Sequence, residues 1–214
     1  MNEDNAAKLA VLGGMETVMR AMKAHPASGV VQEQACVALA NLAVNADNAA
    51  KLAGLGGLET ILGAMKAHRY SQGVQEQALG ALANLAESAD IAVKIAVLGG
   101  MEAIMRAMKV HPTSEVVQQY ACWALANLAV NADNAAMLAD LGGMEAIMGA
   151  MKAYQSSEAL HEQACRALLN LASTFKTMSH MVVPHVRTCV RIAMETYQHN
   201  ANIQEFGRHC LEMI

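Results

Sequence analysis

An all-α solenoid is the fold the sequence predicts, and three observations predict it. A Gly-Gly pair recurs at Gly13, Gly56, Gly99 and Gly142, each 43 residues after the last. Whole columns keep the same step: Asp4, Asp47, Asp90 and Asp133; Glu16, Glu59, Glu102 and Glu145; Lys23, Lys66, Lys109 and Lys152; Ser28, Ser71, Ser114 and Ser157; Asn41, Asn84, Asn127 and Asn170. Inside each unit, apolar residues such as Met15, Met19 and Met22 step by three and four, which puts them on one face of a helix. A period of this length marks a stack of units, each packed only on its neighbours around one elongated core. The units run over 1–43, 44–86, 87–129 and 130–172, with a divergent capping unit over 173–214, all in one domain 1–214.

The second unit shows why each element forms. Asp47 to Leu55 reads as a short helix, with Asp47 placed to cap the free N–H groups at its start. Gly56-Gly57 ends it. Leu58 to Lys66 reads as a second helix, since Glu59 at its start and Lys66 at its end complement the helix dipole. A loop follows, marked by Pro26 in the first unit and Pro112 in the third. Ser71 then caps a longer third helix that runs through Val74 to Ala86. The fifth unit has lost Gly-Gly but keeps Gln204-Glu205 under Gln32-Glu33 and Leu211 under Leu39. Its Arg187, Arg191, Glu195, Gln198, His199, Arg208 and Glu212 supply the polar outer face that a terminal unit needs.

Three helices in about 43 residues, a Gly-Gly corner and a closing Ala-Asn-Leu-Ala resemble the armadillo repeat over the whole chain. The third copy, from Val117-Gln118-Gln119-Tyr120-Ala121-Cys122-Trp123 to Ala124-Leu125-Ala126-Asn127-Leu128, is similar to the groove-forming third helix of peptide-binding armadillo proteins. The resemblance implies a right-handed α-solenoid of three-helix armadillo repeats. It further implies that the third helices line a concave groove whose asparagines bond the backbone of an extended peptide.

Composition bounds the function. With 54% hydrophobic and 16% charged residues the chain has a core to bury, and a net charge of −4 argues against nucleic acid. No apolar stretch has the length of a membrane span, and Met1-Asn2-Glu3-Asp4 is an acidic start unlike a signal peptide, so an intracellular place, cytoplasmic or nuclear, is expected. Cys36, Cys122 and Cys165 share one column, where stacked helices lie roughly 8 to 10 Å apart. A disulfide requires Cα atoms within about 7 Å, so these are expected to be buried thiols. His25, His68 and His111 follow the second helix, where they can bond terminal carbonyls, and a full unit between them precludes a shared metal. The methionine column is read as core. With no phosphate loop, nucleophile elbow or His-Glu-x-x-His, no enzyme and no cofactor or metal are expected.

Candidate function sits on the third helices. Positions four apart share a face, so Glu33/Val37/Asn41, Glu76/Gly80/Asn84, Gln119/Trp123/Asn127 and Glu162/Arg166/Asn170 form four parallel stripes. A carboxamide carries both donors and an acceptor and can pair with peptide N–H and C=O. The competing reading has the asparagines bonding local backbone in the following turn. Against it, asparagine is a poor helix former that a purely structural helix would avoid. The aromatic column survives only at Trp123, which leaves one slot for a Lys or Arg stem. Glu33, Glu76 and Glu162, opposed by Arg166, favour a mildly basic or mixed peptide. The expected site is therefore Glu33, Asn41, Glu76, Asn84, Gln119, Trp123, Asn127, Glu162, Arg166 and Asn170.

The function expected is non-catalytic protein-protein interaction, with a protein or extended peptide segment as partner and neither nucleic acid nor membrane. The rival is a structural or assembly solenoid that associates through its ends or convex face. Self-association through the N-terminal end belongs to that rival, because Asn5-Ala6-Ala7-Lys8-Leu9-Ala10 nearly repeats the internal Asn48-Ala49-Ala50-Lys51-Leu52-Ala53.

Overall fold

The computed structural model describes residues 8–172 and 182–214, and every regular element among them is a helix. Asn5 to Ala7, on which the expectation of end-to-end association rests, lies outside the described residues, as does the start of the fifth unit. Each complete unit places a nine-residue first helix (Ala46–Gly54 in the second), an eleven-residue second helix (Gly57–Ala67) and a fourteen-residue third helix (Gln72–Leu85). Third helices of successive units pack closely on one another, while second helices meet less intimately. In the last unit Val183–Thr196 and Ala201–Met213 hold the second and third places, and the polar residues expected on its outer face are exposed.

The corner needs both glycines, for different reasons. Gly13, Gly56, Gly99 and Gly142 have φ of 78, 82, 78 and 80°, the left-handed region that a side chain makes costly. The second glycine is a matter of contact. A Cβ on Gly57 would stand 2.7 Å from the Leu52 carbonyl oxygen, and one on Gly100 would stand 2.7 Å from that of Ile95. The chain therefore turns sharply with its own first helix pressed against the start of the second.

Two capping expectations are corrected. Ser71 holds the N-cap position of its third helix, but its side chain accepts no capping bond. Asp47 lies inside the first turn; the cap is Asn45, whose side chain accepts from the Asn48 N–H at 3.0 Å, and Asn131 does the same for Asn134 at 3.0 Å. Asp47 instead adds negative charge at the positive end of the dipole. Ser28 and Ser114 accept from Val31 and Val117 as third-helix caps, and Asn200 serves in the last unit.

A glutamine closes four of the five units, and His161 stands in its place in the fourth. Gln32 donates to the Met22 and His25 carbonyls, Gln75 to Met65 and His68, Gln118 to Met108 and His111, and Gln204 to Met194 and Tyr197. It satisfies carbonyls at the end of the second helix that have no helical partner. The histidine column works between units instead. His68 bonds the Pro26 carbonyl oxygen at 2.7 Å, His111 that of Arg69 at 2.9 Å, and Tyr154 and Tyr197 donate to Pro112 and Gln155.

The methionine column is core: Met15, Met101 and Met144 are fully buried. The five cysteines are free and buried, and burial pushes the thiols of Cys36, Cys122, Cys165 and Cys210 up to about 12 from the ordinary value of 9.0. A raised pKa in the fold means stability that is intact below the unfolded value and lost as pH climbs through the folded one. Unfolding free energy is thus expected to hold steady up to about pH 9 and decline toward pH 12, less steeply in a Cys36→Ala, Cys122→Ala, Cys165→Ala variant. Urea melts across this range, with thiol-reagent labelling confined to the unfolded chain, check it. An equally steep decline in the variant refutes the assignment.

Candidate peptide-binding groove

The four predicted stripes lie side by side on Gly29–Leu42, Gln72–Leu85, Glu115–Leu128 and Glu158–Leu171. The opposite faces of these helices carry Leu39, Val74, Leu82, Leu125 and Leu168 into the core, which fixes which side chains are left to form the surface. What those side chains bond differs from expectation in two of the three columns.

The asparagines reach backward, not into the following turn. Asn84 donates to the Ala40 carbonyl oxygen at 2.9 Å, Asn127 to Ala83 at 2.9 Å and Asn170 to Ala126 at 2.8 Å. These acceptors sit in the last turn of the preceding third helix. The N–H of Glu87, four residues after Ala83, bonds Asn84 instead, and that of Val130 bonds Asn127, so Ala83 and Ala126 lack that helical partner. Each asparagine is thus a C-terminal cap supplied by the next unit. Asn41, the first of the column, is exposed.

The glutamates reach forward. Glu76 accepts from the Ser114 hydroxyl at 2.8 Å and from Gln72 at 2.8 Å, and Glu162 accepts from Asn200 and Asn202, both at 3.1 Å. Glu33 lies over Gly73, where any Cβ would collide with its carboxylate. All three carboxylates therefore stand at the N-terminus of the next third helix, where the dipole favours negative charge. Their field is partly consumed within the stack, so a floor of free acids is not what the protein presents.

Arg166 is half-buried and donates to the Asn127 Oδ1 at 2.5 Å. Burial pulls its pKa below the arginine range, opposed by the carboxylates of Glu87 and Glu162. With one N–H on Ala83, its oxygen on Arg166 and its side chain buried, Asn127 is engaged within the stack. The carboxamides that looked like ligand contacts hold helix to helix.

Three predicted residues do converge. Gln119, Trp123 and Glu162 line a recess of about 220 Å³ between the third and fourth units, together with Tyr120, Ala159 and Gln163. Trp123 is half-buried and meets Tyr120 edge to face, with ring centroids 6.2 Å apart. Tyr120 also leans over Gly80, where a Cβ would come within 3.3 Å of its ring. The Oε1 of Gln163 is buried and has no partner. Sequence reasoning missed Tyr120 and Gln163. Their column reads Gln34, Gln77, Tyr120, Gln163, so the aromatic exception three residues before Trp123 was the available signal.

A family model described as armadillo-like matches residues 15–206. The chain belongs to the armadillo-like family. For this armadillo-like chain, membership is consistent with a protein-interaction module. In fold it is similar to the crystal structure of an engineered protein from a structural genomics consortium. The TM-score is 0.80 and the identity 23%, with 100% of this chain and 84% of that one covered. No curated protein matches. Among the described residues, no cluster of three His, Cys, Asp or Glu could hold a metal ion, and no helix is long and apolar enough to cross a membrane.

Proposed function

We propose that this armadillo-like chain is a non-catalytic interaction module that takes an extended, mildly basic peptide across its third helices, anchored at the Trp123 recess. One observation carries the reading. The recess joins two aromatic rings to the side-chain oxygens of Gln119, Glu162 and Gln163, the last buried without a partner. Aromatic faces suit the stem and charge of a Lys or Arg, with cation–π attraction of roughly 0.5 to 2 kcal/mol, and clustered oxygens suit its N–H donors.

A peptide rising roughly 3.3 Å per residue across units that advance about 10 Å each would lay on the order of eight to ten residues over four units. Affinity is expected to concentrate at the third and fourth units. The rival, a structural solenoid, draws support from the engagement of Asn84, Asn127 and Asn170 in the stack.

The chain has a single tryptophan, so its fluorescence reports the recess directly. Decapeptides of alanine and serine carrying one central Lys, Arg, Glu or Leu are titrated in turn. Saturable change with Lys and Arg, at least tenfold weaker with Glu, supports the reading; equal response to all four, or none, removes it in favour of the assembly role.

A further inference from the structure

One column on the second helices repeats every two units rather than every one: Arg20, Gly63, Arg106, Gly149. Two others share a residue between the first and third units only, Pro26 with Pro112 and Val11 with Val97. The Arg/Gly column has a visible result. A Cβ built on Gly63 or on Gly149 meets nothing within 4 Å. Over Gly63 lies a cleft of about 430 Å³ lined by Met22, Pro26, Ala64 and Ala67, with Lys23 and Glu59 on its rim. Over Gly149 lies one of about 800 Å³ lined by Met108, Pro112, Ala150 and Ala153, with Lys109 and Glu145. The residues named correspond position for position two units apart, at the junctions of units one with two and three with four, and the larger cleft also takes in Met105 and Arg106.

We infer that the two clefts are twin seats for α-helices of a protein partner, one amphipathic helix of about three turns in each. Each runs antiparallel to the second helices that form its walls. The walls that carry the glycines are helices of eleven residues, Gly57–Ala67 and Gly143–Ala153, about 16 Å long at 1.5 Å per residue. Gly63, Ala64 and Ala67 keep one wall low enough for a third helix to nest between the two. Charge sets its direction. Glu59 and Glu145 stand in the first turn of a wall helix, and Lys23 and Lys109 in the last turn of the other wall. An antiparallel helix brings its own first turn to the lysines and its last turn to the glutamates. Acid at its start and base at its end then satisfy both the cleft and its own dipole. Two seats on one chain favour a partner that presents two such helices.

The probe is a fluorescein-labelled, lactam-stapled helix of twelve residues with Leu at positions 2, 5 and 9, Glu in the first turn and Arg in the last. Anisotropy titration is expected to show two sites per chain. Gly63→Arg and Gly149→Arg should each remove one and the double variant both, lowering affinity at least tenfold. Arginine already holds this position at Arg20 and Arg106, so the helix accepts it, and unchanged circular dichroism melts verify the fold. The peptide with Arg first and Glu last should bind at least tenfold more weakly. Trp123→Ala should leave this binding intact, which separates it from the groove. Absent binding to the wild-type chain, equal binding by the double variant, or indifference to charge reversal overturns the inference.

Discussion

Asn127→Ala is expected to lower the unfolding free energy by roughly 2 to 4 kcal/mol, the combined cost of an unpaired buried carbonyl and a broken bond to a charged group. The carbonyl is that of Ala83, whose usual helical donor bonds elsewhere. The charged group is Arg166, half-buried on Asn127 with its Nε unpartnered. The column supplies its own gradient. Asn84→Ala loses a half-buried bond to Ala40 and no arginine, so about 1 to 2 kcal/mol is expected, whereas Asn41→Ala, at an exposed side chain, should cost under about 0.5 kcal/mol. Urea midpoints with constant m-values measure all three. If the three variants unfold together with wild type, the asparagines do not cap the stack.

That gradient bears on how much was legible in the sequence. Helix order, the Gly-Gly corner and the methionine core followed from periodicity and composition, because they depend on contacts within one unit whose spacing the chain displays directly. The bonds of Asn84, Asn127 and Asn170 were not legible in the same way. Their acceptors, Ala40, Ala83 and Ala126, lie 44 residues earlier and are backbone atoms, which leave no mark on the sequence. A column maintained for stacking and a column maintained for a ligand look alike in one chain. The serine N-cap positions could be read because cap and helix are adjacent, although only Ser28 and Ser114 make the bond and Ser71 does not; the true first-helix cap, Asn45, was missed because an acid two residues later suits the same end for a different reason. Of the candidate site, Trp123, Gln119 and Glu162 were brought into one recess. Tyr120 and Gln163 escaped notice because their column was mostly glutamine.

The strongest effect on binding is expected at Trp123. Truncating it to alanine should weaken a lysine-bearing decapeptide about tenfold or more, or roughly 1.4 kcal/mol, since cation–π attraction and the contact along the side-chain stem vanish together. The replacement removes the fluorescent reporter, so anisotropy of a labelled peptide is the measurement. Trp123→Phe should recover most of the affinity, because a smaller ring still presents a face. Glu162→Gln should weaken the lysine peptide several-fold by removing charge, while its one remaining oxygen can accept from either Asn200 or Asn202. Glu102→Gln, on a second helix in another part of the unit, should change nothing. The stability of each variant is measured alongside, because Trp123 also packs against the core. A Trp123→Ala protein that remains folded at the assay temperature and binds the peptide as wild type does would leave the groove without its anchor. The third helices would then be read as a scaffold whose polar columns serve only one another.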